Sequence, residues 1–221
     1  MFVVVFIIAV ILFFYVLLMI RYAFGWRKIK DISQEGFSPR VSVVIAIRNE
    51  DEHVEFLLKS LESQIYSKDK LEFILVNDHS NDNTLPLLER SDLSNLRIID
   101  MPEGKFGKKD AIGMAVSIAR GDIILASDAD CIFTPYWVQT MASYFAEDKI
   151  KLVSAPVCFT KKDGLFQSLQ ALEFISLIGS GAGAIGIKDP IFCNGANMAY
   201  RKEVFLEVNN FKKDSVVSGD D

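Results

Sequence analysis

Cysteine is scarce and scattered in this chain: Cys131, Cys158 and Cys193 lie far apart and form no CxxC pair. That spacing argues against a secreted disulfide framework or a structural zinc site, and it fits reduced thiols in a cytosolic compartment. No Lys/Arg block tracks a phosphate backbone, and the formal charge is −5, so nucleic acid is not an expected partner. Internal repeats and low-complexity tracts are missing too. Histidine is limited to His53 and His79, lone residues better read as surface or helix-cap side chains than as ligands, and neither is assigned a catalytic role. The absence with the largest consequence is that of any charge from residues 2–20.

An apolar run of about 20 residues matches the hydrocarbon thickness of a bilayer. Arg21, Arg27, Lys28 and Lys30 follow at once, with Tyr22 and Trp26 at interface depth. The positive-inside rule puts that end in the cytoplasm. A cleaved signal peptide would need a basic start and a small-residue cleavage site, and neither is present. Residues 1–22 therefore read as a transmembrane anchor and 23–40 as a juxtamembrane linker containing Gly36 and Pro39. Residues 41–221 read as one ordinary domain on the cytoplasmic side.

Beyond the linker, strand and helix patterns alternate. Val41–Ile47 is continuously apolar and β-branched except for Ser42 and Ala46, as in a strand buried on both faces. Strands are also expected at 72–76, Leu96–Asp100, 122–127 and 152–156. Helices are expected at 52–64, 84–90, 108–119 and 135–145. This rhythm predicts an α/β domain whose mixed sheet is mainly parallel and flanked by helices. Residues 165–187 are apolar but interrupted: Gln167, Gln170 and Glu173 lie on one side, and Gly179, Gly181, Gly183 and Gly186 follow. An amphipathic helix at the membrane surface or along an acceptor groove is the expected form, in preference to a second span. The letters of Gly181-x-Gly183-x-x-Gly186 match a dinucleotide fingerprint. They follow a helix rather than a strand, so they carry no such implication.

In open α/β sheets, ligands gather at the carboxyl ends of the strands. There this sequence supplies Arg48-Asn49-Glu50, then residues 77–84, then Asp128-Ala129-Asp130. If Asp128 and Asp130 leave a strand pointing the same way, they can hold a hard divalent cation whose other ligands are water and phosphate oxygens. Such an ion stabilises charge on a departing diphosphate without moving a proton. Asp78 can accept hydrogen bonds from a base or ribose; the alternative is an Asx-type turn capping the next helix, with Ser80 or Asp82 as the cap. Gly107-Lys108-Lys109 opens a helix, and a helix start bearing a lysine can meet phosphate, although solvated surface lysines fit equally well. A carboxylate in Ser218-Gly219-Asp220-Asp221 can act as a general base or be simply a charged tail.

Taken in order, these segments resemble family 2 glycosyltransferases of the GT-A fold, across residues 41–221. Val41 to Glu50 is similar to the family's opening strand and Arg-Asn-Glu turn. Residues 77–84 are similar to its Asp-Asp-x-Ser-x-Asp-x-Thr segment, with Asn77 in place of the first Asp. Gly107-Lys108 before Ala111 resembles Gly-Lys-x-x-Ala, and Asp128-Ala129-Asp130 resembles the DxD motif. Cys193-Asn194-Gly195-Ala196-Asn197 resembles the acceptor-side segment, and Asp220-Asp221 the late acidic pair, with Asp220 replacing the more usual Glu. The resemblance implies an inverting transfer of sugar from a nucleotide-sugar donor, UDP-linked at the level of the family, to a saccharide or lipid-linked acceptor. By the same resemblance Ala46, Glu50 and Asp78 contact the nucleotide, Lys108 lies near it, and Asp128 faces the ribose–diphosphate region. Asp130, with Asp128, ligates Mn²⁺ or Mg²⁺; Asp221 deprotonates the acceptor hydroxyl beside Asp220; and Asn194, Gly195 and Ala196 lie on the acceptor side. Family members continue past the late acidic pair, so this chain is expected to be C-terminally incomplete, with weak or no turnover alone. A nucleotidyltransferase would need a Gly-rich basic loop after the first strand, where Ile47-Arg48-Asn49-Glu50 stands. A non-catalytic, membrane-bound nucleotide-binding or scaffold module stays open as an alternative.

Overall fold

The structure, a computed structural model, describes residues 2–29, 31, 34, 36–160 and 164–211, the last three by backbone alone. Its helices are α1 (Phe2–Trp26), α2 (Asp51–Glu62), α3 (Thr84–Glu89), α4 (Lys108–Ile118), α5 (Trp137–Ser143), α6 (Leu165–Gly186) and α7 (Lys202–Phe211). The strands are β1 (Val41–Ile47), β2 (Leu71–Asn77), β3 (Leu96–Asp100), β4 (Ile123–Asp128), β5 (Leu152–Ser154) and β6 (Asn197–Arg201). They form one sheet in the order β3-β2-β1-β4-β6-β5. β1 to β4 are parallel, and β6 runs antiparallel to both β4 and β5. The chain divides into two units: residues 32–155 with 195–221, which hold the sheet, and residues 1–31 with 156–194.

In the sheet unit, the central strands are continuously apolar because both faces are covered. Val43, Ile45, Phe73, Leu75 and Leu125 pack with Val54, Leu57 and Leu61 of α2 and with Val138 and Met141 of α5. On the opposite face Val44, Ile74, Val76 and Ile124 meet Ala111, Ile112, Ala115 and Val116 of α4. The two alanines let α4 lie close to the strands. α4 starts at Gly107, whose φ of 89° lies in the left-handed region that favours glycine. The expected helix at 135–145 is shorter: α5 ends at Ser143 and a 3₁₀ turn, Tyr144–Ala146, follows. β5 stops at Ser154, two residues before Pro156. β6 and α7 were not anticipated. β6 is only five residues long, Asn-Met-Ala-Tyr-Arg, too short and too polar for periodicity to reveal it.

In the other unit, α1 and α6 are both long and apolar enough to cross a membrane by length and composition. They meet through glycine. A methyl group on Gly25 would strike the carbonyl of Gly183, one on Gly183 the carbonyl of Tyr22, and one on Gly186 the carbonyl of Gly25. Arg21 and Asp189 add an ion pair at 3.2 Å. α6 is one uninterrupted helix, so Gly183 and Gly186 mark a close helix crossing rather than a break, while Gly181 faces the Phe192 ring. Nor does it carry a single apolar stripe. Leu165, Phe166, Leu172, Leu177 and Ile185 are all exposed, and at helical spacing they point in different directions around the axis. The expected amphipathic surface helix is corrected on that point.

Candidate active site

Strands β1, β2 and β4 end level with one another. Ala46 lies in register with Val76 on one side and Asp128 on the other, and Ile47 is in register with Asn77. The loops beyond these ends are tied together. Asn49 N–H donates to Ser80 Oγ at 3.0 Å, and Asn81 N–H donates to Asn49 Oδ1 at 2.9 Å. Glu50 N–H donates to Thr84 Oγ1 at 2.8 Å. Asn49 and His79 each adopt a φ of 55°, a conformation that Asn and His reach more readily than most residues. The departure at Asn77 has a local reason. Its Nδ2 donates to Asp100 Oδ1 at 2.7 Å while its Oδ1 accepts from Ser80 N–H at 3.2 Å. An ionised aspartate could accept but not donate, and it would face Asp100 as a like charge.

The Asx-type turn falls to Asp82, whose Oδ1 accepts the N–H of Thr84 at 2.9 Å where α3 begins, while the residue at the cap position itself is Asn83. Asp78 is left for other work. It is buried, and its Oδ2 accepts the N–H of Gly107 at 3.0 Å and lies 3.7 Å from Arg48. Its Oδ1 is buried and has no hydrogen-bond partner among the described residues. Such an oxygen costs roughly 1–3 kcal/mol of desolvation unless something donates to it. The start of α4 is held against the same loop: the His79 ring contacts Phe106 at 4.7 Å between centroids, and His79 Nε2 lies 3.0 Å from Lys105 O. From that fixed start Lys108 reaches Asp128, with Nζ 3.0 Å from Oδ1.

Asp128 is the last residue of β4, and a turn follows, closed by Cys131 N–H to Asp128 O at 3.3 Å. Strand alternation therefore does not extend to Asp130, and the expectation that it sets a common direction for the two carboxylates is corrected. Asp128 is half-buried; Asp130 is exposed and forms no salt bridge among the described residues. Cys131 Sγ lies 3.9 Å from Asp130 Oδ1 and 4.0 Å from Ala196 O. Burial pushes its thiol pKa up, and the charges of Asp130 and Asp128 add to that, which works against a thiolate at this position. Ser127 Oγ donates to Ala196 O at 2.6 Å, which brings Ala196 beside the Asp128–Asp130 turn. Gly195 is buried in the same unit, whereas Asn194 belongs to the other. Glu50 Oε2 lies 2.7 Å from His53 Nδ1. Asp220 and Asp221 lie outside the described residues.

No group of three or more His, Cys, Asp or Glu side chains among the described residues is placed to hold a metal ion by itself. Two hard carboxylates at an open rim still suit Mg²⁺ or Mn²⁺, which keep several positions for water and phosphate oxygens, and they suit zinc poorly. Asp128 is already paired with the lysine ammonium in this ligand-free structure. Sequence reasoning missed the Lys108–Asp128 pair and the Asp78–Gly107 bond, because only the strand order brings these distant residues together.

The sequence pattern of Glycosyl transferase family 2 matches residues 42–208. The chain belongs to that family. Over 215 residues this family 2 chain is 26% identical to a poly-beta-1,6-N-acetyl-D-glucosamine synthase of Staphylococcus aureus, covering 93% of this chain and 49% of that protein. It thus spans about half the length of the curated relatives it matches. Among solved structures, mannosyltransferase PcManGT of Pyrobaculum calidifontis, in complex with GDP-Man and Mn²⁺, superposes with a TM-score of 0.70 at 21% identity, over 91% of this chain and 56% of that one. TarS residues 1–349 of S. aureus, in complex with UDP-GlcNAc, gives 0.58 at 19% identity, over 77% and 47%. At such identities the likeness shows the fold, and the fold of this family 2 member is GT-A: a mixed, mainly parallel sheet flanked by helices.

Proposed function

We propose that this chain carries the donor site of an inverting glycosyltransferase, which moves a sugar from a nucleotide-diphosphate sugar, UDP-linked, to a hydroxyl of a saccharide or lipid-linked acceptor. The observation that carries the reading is the buried Oδ1 of Asp78, an acceptor with no donor among the described residues, at the level where β1, β2 and β4 end. A base N–H fits it chemically. Ala46 and Glu50 line the same rim, Lys108 meets the diphosphate, and Asp128 and Asp130 hold a divalent cation. That cation, when bound, supplies positive charge to the departing diphosphate. The acceptor oxygen attacks the anomeric carbon as the bond from that carbon to the diphosphate oxygen breaks, and Asp221, beside Asp220, takes the hydroxyl proton. Asn194, Gly195 and Ala196 serve the acceptor side. Residues 1–22 anchor the chain in the membrane, 23–40 link the anchor, and 41–221 act on the cytoplasmic face, where Arg21, Arg27 and Lys28 follow the apolar run. The relatives support this reading: one is named a poly-N-acetylglucosamine synthase, and the similar structures hold UDP-GlcNAc or GDP-Man with Mn²⁺.

Titration calorimetry with UDP, GDP and their sugars, with and without Mn²⁺, tests the proposal. UDP binding that strengthens with Mn²⁺, and loses that dependence in Asp130→Ala, supports it. A chain with no affinity for either nucleotide would instead be a non-catalytic module.

A further inference from the structure

Both ends of the Lys108–Asp128 pair stand on fixed backbone. Lys108 is the first residue of α4, whose start is pinned by Asp78 Oδ2 on Gly107 N–H and by His79 against Phe106. Asp128 sits in the β1–β4 ladder opposite Ala46, and its neighbour Ser127 is tied to Ala196. The pair at 3.0 Å is therefore built into the ligand-free fold, and only the lysine side chain has to move to break it. Asp128 is also one of the two carboxylates offered to a divalent cation. An ammonium and a dication on the same carboxylate repel each other, so an incoming ion must displace Lys108 or bind beside a like charge.

We propose that Lys108 is a resident counter-ion that makes divalent-cation binding conditional on the nucleotide diphosphate. Its ammonium neutralises Asp128 in the empty site and transfers to phosphate oxygens when the diphosphate arrives, which frees Asp128 for the ion. The inference rests on the donor-site reading above. The two ligands then help each other by the same factor in either order, as linkage requires. Side-chain exposures of 36% for Lys108 and 39% for Asp128 set the scale. A pair this wet is screened, and its removal changes an affinity by about two- to fivefold.

The test is Mn²⁺ binding to the 221-residue chain in detergent, read as loss of the free-ion paramagnetic resonance signal, with and without UDP and corrected for the Mn²⁺–UDP complex in solution. The proteins are the parent chain, Lys108→Met, which keeps the apolar stem, and Lys108→Arg, which keeps the charge. Melting midpoints confirm that each is folded. The proposal expects Lys108→Met to bind Mn²⁺ alone about two- to fivefold tighter than the parent, with UDP adding less further tightening than it does in the parent, while Lys108→Arg resembles the parent. Equal Mn²⁺ affinity in Lys108→Met and the parent, or an undiminished UDP effect in Lys108→Met, overturns it and leaves the donor site standing. A parent chain that takes up no Mn²⁺ even with UDP overturns the donor-site reading and this inference together.

Discussion

Replacing Asp78 with asparagine separates binding from folding at one position. The amide oxygen can still accept the N–H of Gly107, which Oδ2 now accepts at 3.0 Å. The amide nitrogen then stands where Oδ1 is buried without a partner among the described residues. A nucleotide N–H that bonds a carboxylate in the parent would meet another donor in the variant. Hydrogen bonds to a charged group contribute about 1.5–3 kcal/mol, so UDP affinity should fall by about tenfold to about 150-fold. Stability should barely change. Arg48 loses a partner at 3.7 Å, but its side chain is 57% exposed and solvated, and pairs of that kind are worth at most about 1 kcal/mol. Calorimetry with UDP and Mn²⁺ reads the first quantity, and the thermal midpoint of the same sample reads the second. If Asp78→Asn bound UDP as tightly as the parent, the unpartnered oxygen would have no connection with the nucleotide, and the central argument for the donor site would fail.

Gly183→Leu should force α1 and α6 apart, because the new side chain meets the backbone of Tyr22; overpacking of this kind costs about 1–3 kcal/mol. With Trp137→Phe as background, emission from Trp26, which lines a cavity with Ile175 and Ile178 of α6, should shift to the red, and an unchanged spectrum would show that the crossing is not tight. Acid should unfold the sheet unit partly through Glu72. Partial burial alone would raise its pKa, but the Ser42 hydroxyl at 2.6 Å, the Arg120 N–H and the Arg97 guanidinium outweigh that effect and hold it below the usual glutamate value. A lowered folded-state pKa gives stability that is complete above the unfolded value, about 4.3, and is lost as pH falls through the folded one. Glu72→Gln should therefore flatten the decline of the melting midpoint as the pH falls below about 4.3, and an equally steep decline would rule Glu72 out.

The strands that build the rim were legible because burial on both faces demands unbroken apolar runs, and Val41–Ile47 and Leu71–Asn77 come close to that pattern. β6 was not, since a short strand beside the central ladder can draw its stability from neighbours rather than from its own composition. The glycines of α6 could be read in two ways. Spacing alone does not distinguish a weak helix from a close crossing until the partner, Gly25, is seen to lie against Gly183 and Gly186. At the site, the residue types were visible in their loops, but their pairings were not. Asp78 and Gly107, or Lys108 and Asp128, meet only because β2, α4 and β4 follow one another around β1. Strand alternation could not be carried on to Asp130 for a local reason: β4 ends at Asp128, and the next two residues form a turn.

β5 and β6 pair from Leu152 with Tyr200 to Ser154 with Met198, and Ala155 N–H then donates to Asn197 O at 2.9 Å. The whole stretch Pro156–Asn194, α6 included, thus leaves and rejoins the sheet at adjacent backbone positions, as the tip of a hairpin does. Lengthening or shortening a tip of this kind shifts closure entropy by only about 0.6 kcal/mol per doubling of length. The stretch can therefore be rebuilt for a different surrounding or a different guest molecule while the ladder keeps the carboxylate at the end of β4 where it is.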